Sequence, residues 1–372
     1  MRHFLHRFMV IVFCITLAGC SLPRGAGFQS EVLAASNAKT AKDGEAPVYD
    51  FAVFEVTRDA LPALQSWPAN RTQSFPWISR KQQPASLIIA PGDRIQMTVW
   101  DAEENSVFAS TAQRATPLQE VQVGADGRIF VPYIGELQVA GMAPATARAR
   151  IEEEMTRTIP SAQIQLVVTP GRANTANLVS GVSVPGVYPL PDRNYKLLDL
   201  LSQGGGASPA LINPQVRLIR GDDIYGVSLR RLLSEPRLDT TLRGGDRVIV
   251  QQDERYFLSL GATGTESLHV FQKDEISALD AMSIIGGVSD ARANPQGILI
   301  LREYAARQVR ADGSGPPQQR VVFTLDLTTA DGLFSAGAFS VQPNDLVYAT
   351  ESALGPALTV LNVAAAVSSF GN

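Results

Sequence analysis

The sequence predicts an α+β fold assembled from several modules, and three observations carry that prediction. Gly 30 and Pro 23 in 372 residues break the chain into short strands and turns. Helical periodicity is confined to brief stretches, the clearest running from Pro144 to about Ile159. A segment near the middle of the chain occurs twice, so part of the protein is a duplication. With 45% hydrophobic and 18% charged residues, the composition is that of folded protein, neither disordered nor polytopic in a membrane.

Residues 1–19 read as an export signal. Arg2 and Arg7 precede an apolar run from Phe8 to Thr16, too short to span a bilayer. The run ends in Leu17-Ala18-Gly19-Cys20, which resembles the bacterial lipobox and implies that Cys20 carries the lipid. Ser21 follows where an aspartate would favour inner-membrane retention, so outer-membrane sorting is expected. Several acyl chains would anchor firmly where one binds only marginally. Cys14 leaves with the signal, so the exported chain has no partner for an internal disulfide and must be held by packing or oligomerisation. Loss of Arg2 and Arg7 leaves 30 basic against 36 acidic residues, a net charge of about −6, which argues against a nucleic-acid partner. Residues 20–50 are small and polar, as in a tether, and 51–85, with Trp67 and Trp77 among prolines, are expected to be ordered but irregular.

Residues 86–170 form the next module. Pro91-Gly92-Asp93 reads as a turn into the alternating strand Ile95 to Trp100. Val121 to Pro132 reads as a hairpin around Asp126-Gly127. A helix then starts at Pro144 with Ala147, Ile151 and Met155 inward, and with Arg150–Glu154 and Glu153–Arg157 as outer i,i+4 pairs. Gln163 to Thr169 closes the module as a strand.

Two repeats follow, at 171–253 and 254–352. Leu198 to Ile219 aligns without a gap on Leu279 to Ile300, with twelve identities that include Asp199, Gly205, Gly206, Asn213, Pro214 and Gln215. Each copy reads as a short helix, a glycine pair giving a left-handed exit, an Asn-Pro turn and a strand, Val216 to Arg220 or Ile298 to Arg302. The expected inner helix positions are Leu197, Leu198 and Leu201 in one copy and Leu279, Met282 and Ile285 in the other. The glycines follow a helix instead of preceding one, so they make no phosphate cradle. Leu242 to Val250 and Val341 to Ala349 repeat the turn-and-strand pattern of Ala90 to Ile95. In all three an aspartate follows a Gly or Asn, which suits turn formation better than catalysis. The second copy carries an insertion, about 303–320, expected as an extended hairpin. Its Arg307, Arg310 and Arg320 are either solvated or a basic finger contacting cargo or a neighbouring subunit.

The tail, 353–372, contains no charge after Glu351. Pro356 suits a helix start; Val360, Val363, Val367 and Phe370 make one stripe, and Thr359, Asn362, Ala366 and Ser369 another. Sixteen helical residues reach about 24 Å, short of a hydrocarbon core of about 30 Å. A single such helix is a poor anchor; a ring of them, or packing against the second repeat, would use it better.

Enzyme motifs are absent from the sequence. His3 and His6 leave with the signal and only His269 remains; there is no free thiol, no G-x-S-x-G, no metal-spaced cluster and no cofactor motif.

The order of lipobox, tether, APGDRI module with VGADGRIFVPYIGELQVAGMAPATARARIEEEM, duplicated segment and apolar tail resembles the outer-membrane polysaccharide exporters of the Wza type. Val53 to Pro62 is similar to the capsule-export lipoproteins of the CtrA and BexD kind. The resemblance implies a polysaccharide-export domain at 86–170, two β-grasp-like SLBB repeats and a C-terminal amphipathic helix. It further implies an octameric homo-oligomer with most of its mass in the periplasm. The tail helices would line a pore for capsular polysaccharide, supplied by an inner-membrane co-polymerase and ABC-type transporter. A glycan-binding or envelope-anchoring lipoprotein without a pore shares every feature except the need for the tail.

Overall fold

The computed structural model describes residues 26–34, 51–69, 75–78, 86–100, 115–288 and 292–352. The expectations for residues 1–19, for Cys20 and for the tail from 353 fall outside them. Two compact units divide the chain: one within Ser74–Asp253, the other joining the residues before Ser74 to those after Asp253.

The second unit's N-terminal elements are a short helix α1 (Gln29–Val32), strand β1 (Ala52–Glu55) and helix α2 (Leu61–Ser66). The first unit begins its folded core with β2 (Arg94–Trp100), flanked by β3 (Ala115–Pro117) and β4 (Val121–Gln122). Then come β5 (Arg128–Val131), β6 (Gly135–Gln138), α3 (Pro144–Thr156) and β7 (Gln163–Thr169). β7 pairs antiparallel with all of β2, from Arg94 opposite Thr169 to Trp100 opposite Gln163. α3 covers this sheet with Ala147, Ile151 and Met155, each 0% exposed, against Ile95, Met97, Val99 and Ile164. The inner face is as expected from helical spacing. Of the outer pairs, Glu153–Arg157 forms as expected, but Glu154 also goes to Arg157, at i+3, in place of Arg150, and Arg148 meets Glu152. The helix stops at Thr156, three residues short of the expected end. Asp126-Gly127 does form a tight turn, with Gly124 N–H donating to Arg128 O, but the strands it joins go to different partners. β4 pairs with β2 and β5 with β6, so the true hairpin turns at Pro132-Tyr133-Ile134.

The duplication is explicit in the strand order. The first copy contains β8 (Thr175–Ser180), β9 (Gly186–Pro189), α4 (Leu197–Gln203), β10 (Gln215–Arg220), β11 (Asp223–Ser228), α5 (Leu229–Ser234) and β12 (Arg247–Gln251), in a sheet ordered β11-β10-β12-β8-β9. The second contains β13 (Tyr256–Gly261), β14 (Ser267–Val270), β15 (Ile276–Ser277), α6 (Ala278–Ile284) and β16 (Ala293–Glu303). β17 (Arg320–Leu325), α7 (Ala330–Ala338), β18 (Ser340–Val341) and β19 (Leu346–Glu351) complete it. Its sheet is ordered β1-β17-β16-β19-β13-β14. After β1, the two orders correspond strand for strand, with the same central parallel pair, β12–β8 and β19–β13.

Both helices start alike: Asp199 accepts from Lys196 N–H and Asp280 from Ser277 N–H, closing the first turn. Both end on glycine pairs at positive φ, Gly205-Gly206 and Gly286-Gly287. The first helix buries Leu197, Leu200 and Leu201; the second buries Ala278, Ala281 and Met282, with Ile285 buried just past its end, while Leu198 is only half-buried and Leu279 is 39% exposed, contrary to expectation.

The gapless alignment also slips by one residue in the strands. Leu218 faces Val248 and Ile300 faces Val347, so Leu218 corresponds to Ile300 and not to Leu299. The extra residue lies where the β16 register breaks, between Ala293 and Ile298. Gly297 accommodates it: its carbonyl accepts from Thr350 Oγ1, and a Cβ there would collide with that hydroxyl.

The N-terminal residues that lacked a clear pattern cover strand edges within each unit. β1 pairs parallel with β17, Ala52 opposite Val321 through Glu55 opposite Thr324. Trp67 is 8% exposed, meets Phe54 edge-on at 5.0 Å and donates Nε1–H to Gly313 O. In the other unit Pro76 O accepts from Gly226 N–H on β11, and Trp77 Nε1–H donates to Leu238 O. Covering these edges removes sites for unwanted pairing.

Candidate functional site

The three turn aspartates share one geometry. Asp93 accepts from Ala90 N–H (2.8 Å), Asp246 from Arg243 N–H (2.8 Å) and Asp345 from Gln342 N–H (2.7 Å), always three residues back. The residue before each, Gly92, Gly245 or Asn344, has positive φ. Asp93 is fully buried and also holds Gly171 N–H (2.7 Å) and Asn174 Nδ2 (2.7 Å), tying the turn to the chain leaving β7. Three structural donors hold its carboxylate, which accounts for the aspartate by the turn it closes. Among the described residues no group of acids, histidines or cysteines is placed to hold a metal.

Two of these aspartates anchor buried ion pairs that sequence reasoning missed. Arg220 donates Nε and Nη2 to Asp246 and Nη2 to Thr241 O; Arg302 does the same to Asp345 and Ser340 O. The one-residue slip concealed this correspondence, because the gapless alignment sets Arg220 against Leu301. The pair in the second repeat is deeper, at 3% and 0% exposure against 16% and 1%. Arg302 lies between Phe323 and Phe339, 5.0 and 5.3 Å from the ring centres. Burial opposes its charge, but Asp345 beside it outweighs burial and raises the guanidinium pKa above the ordinary value.

The arginine-bearing insertion is folded back and is not an extended hairpin. β16 and β17 stop pairing at Glu303–Arg320, and Tyr304 is buried at that point. Arg310 N–H donates to Pro316 O, and its Nη1 to Arg307 O; Gln308 Nε2 donates to Ala69 O. Arg320 faces Glu303 at 3.9 Å. The loop is therefore stitched to the residues around Trp67, with Arg307, Arg310 and Arg320 all exposed.

One region brings the two described ends of the chain together. Gly27 N–H donates to the Tyr348 hydroxyl (2.8 Å), Ala26 N–H to Glu351 Oε1 (3.3 Å), and Glu351 N–H to Gly27 O (3.1 Å). α1 thus docks on β19 in the stretch expected to be a tether. Ala26 is six residues after Cys20, and Ser352 four before Pro356. The expected tail positions Pro356, Thr359, Val360, Asn362, Val363, Ala366, Val367, Ser369 and Phe370 lie outside the described residues. Among the described residues no helix is long and apolar enough to cross a membrane.

Residues 81–169 match the family described as polysaccharide biosynthesis/export protein. This segment is a polysaccharide-export domain. The match covers the β2–β7 sheet and α3, within a residue or so of the expected end of the module. Along almost its full length the chain is similar to the capsule polysaccharide export protein BexD of Haemophilus influenzae, 23% identical over 99% of this chain and 97% of the relative. It is 25% identical to the capsule polysaccharide export outer membrane protein CtrA of Neisseria meningitidis serogroup B, over 94% and 91%. It is 23% identical to the Vi polysaccharide export protein VexA/TviF of Salmonella typhi, over 91% and 90%.

Outside the export domain, one Ser–His contact invites a catalytic reading. His269 Nε2 lies 2.8 Å from Ser259 Oγ. Ser259 is wholly buried, however; it donates to Thr265 O (2.6 Å) and accepts from Ser267 N–H. The ring stacks on Phe257 at 5.1 Å, and burial lowers the His269 pKa. A histidine held neutral by the fold contributes stability above its unfolded pKa of about 6.5 that is lost as pH falls below it. Unfolding by urea at pH 7.5 and 5.5 should therefore show a drop that His269→Gln reduces. An NMR titration of this imidazole giving an ordinary or raised pKa would contradict the assignment.

Proposed function

We propose that the protein is a non-enzymatic outer-membrane export protein for capsular polysaccharide, lipid-anchored at Cys20, with most of its mass in the periplasm. Subunits assemble into a ring, and the tail helices Pro356 to Phe370 line the passage. The observation that carries this reading is the two-way coverage of at least 90% with two capsule polysaccharide export proteins and a Vi polysaccharide export protein, on top of a matching export domain. The junction at Gly27 and Glu351 supports the membrane arrangement. It holds Ala26 and Gly27, six and seven residues from Cys20, beside the strand that leads into the tail, so both attachments start from one place. A helix of about 24 Å suits a multi-stave wall better than a lone span.

Truncation after Ala353 should leave a folded protein in the outer-membrane fraction and abolish surface polysaccharide. Normal capsule on cells carrying only the truncant would refute the channel and favour a glycan-binding lipoprotein. Detergent-purified full-length protein should be a hollow ring by electron microscopy.

A further inference from the structure

The export domain carries an open polar groove of about 330 Å³ lined by Trp100, Arg148, Glu152, Gln163, Ile164 and Gln165. That volume lies at the small end of the range for ligand sites. We infer that this groove is a subsite for a neutral pyranose ring of the exported chain; the inference rests on the export reading above.

Trp100 differs from the other two tryptophans. Trp67 and Trp77 pack inward and spend their indole N–H groups on Gly313 O and Leu238 O. Trp100 ends β2 opposite Gln163 and is 45% exposed, and its indole makes no hydrogen bond or ring contact among the described residues. An exposed indole face on a regular strand offers a flat apolar platform with a polar edge. A pyranose ring has the complementary form, with one C–H face and a rim of hydroxyls.

The polar lining has matching chemistry. Gln163 and Gln165 lie two apart on β7, so their side chains share one face of the strand, and each amide both donates and accepts. Glu152 Oε2 is fixed by Arg148 Nη1 (2.8 Å) and by Ile164 N–H (3.1 Å). The Arg148–Glu152 pair leaves the groove without net charge while keeping further guanidinium donors available. Such a lining reads hydroxyl groups and offers no unpaired cation to an anionic sugar. The positions are held by a complete β2–β7 ladder and by α3, so the platform is built before any sugar arrives.

The test uses full-length protein in detergent and saturation-transfer NMR on three oligosaccharides: maltohexaose, chitotetraose and tetragalacturonate. Saturable transfer to one or both neutral oligomers is expected, with weaker transfer to tetragalacturonate. Trp100→Ala should weaken binding at least about tenfold, while Trp100→Phe, which keeps an aromatic face, should restore much of it. Silence from all three oligomers, unchanged binding in Trp100→Ala, or a preference for the uronate each overturns the subsite. Silence together with a changed particle size in Trp100→Ala would assign the tryptophan to contact between copies. These results read binding in purified protein, so they are separate from the tail truncation, whose failure would overturn the channel itself.

Discussion

Asp345→Ala is expected to destabilise the second repeat by about 3–5 kcal/mol, the usual effect of stranding one member of a buried ion pair. Arg302 would then sit among Tyr304, Phe323 and Phe339 with a charge that nothing neutralises, in a site 3% exposed. The mutation also removes the acceptor for Gln342 N–H, so the turn into β19 loses its clamp. The matching change in the first repeat, Asp246→Ala, should be milder, because Arg220 is 16% exposed and can recover some hydration. Replacing both partners, Arg302→Met with Asp345→Leu, should return much of the lost stability. Urea midpoints for the three variants and the parent give the comparison. Equal losses from Asp345→Ala and Asp246→Ala would show that burial does not set the effect.

Gly181→Ala and Gly261→Ala should each cost on the order of 3 kcal/mol, the combined scale of a strained backbone and an overpacked contact. These glycines occupy corresponding places where the first strand of each repeat ends. Gly181 has φ +74° and Gly261 φ +91°. An added Cβ would lie 1.8 Å from Val250 O in one and 2.3 Å from Ala349 O in the other, both on the neighbouring parallel strand. The obstruction is backbone, which cannot rotate aside as a side chain could. Gly206→Ala serves as the control. It too has positive φ, at +77°, but nothing within 4 Å of its Cβ position, so it should lose only the conformational part. Thermal melts in which all three variants match the parent would remove the steric argument.

What the sequence made legible was local or repeated. The inner face of α3 followed from spacing alone, and the left-handed glycines and turn aspartates followed from residue chemistry that one turn suffices to determine. Strand partners were not legible. Val121 to Pro132 contains a good turn signal, but which neighbour each strand pairs with depends on elements far along the chain. The Arg–Asp pairs were hidden for a related reason: Gly297 shifts one repeat by a residue, and only the ladder register reveals it. Leu279 misled because helical spacing defines a stripe without saying how wide its cover is. Residues 51–69 and 75–78 were opaque because each short piece is shaped by the edge it covers, and that edge is encoded elsewhere. The groove at Trp100 had no signature of its own, since its lining comes from three separated elements.

The β1–β17 pairing has a consequence for biogenesis. Ala52 to Glu55 is among the first folded segments to emerge on export, while its partner Val321 to Thr324 is among the last. Nearly the whole exported chain must appear before this sheet can be completed, a long loop to close and a slow kind of contact to form. Until then the edge of β17 stands open to pairing with another chain. The unit between them, Ser74 to Asp253, is contiguous and under no such wait. Maturation would therefore proceed from the middle outward, with the duplicated half nearest the tail sealed last, by the segment that arrived first.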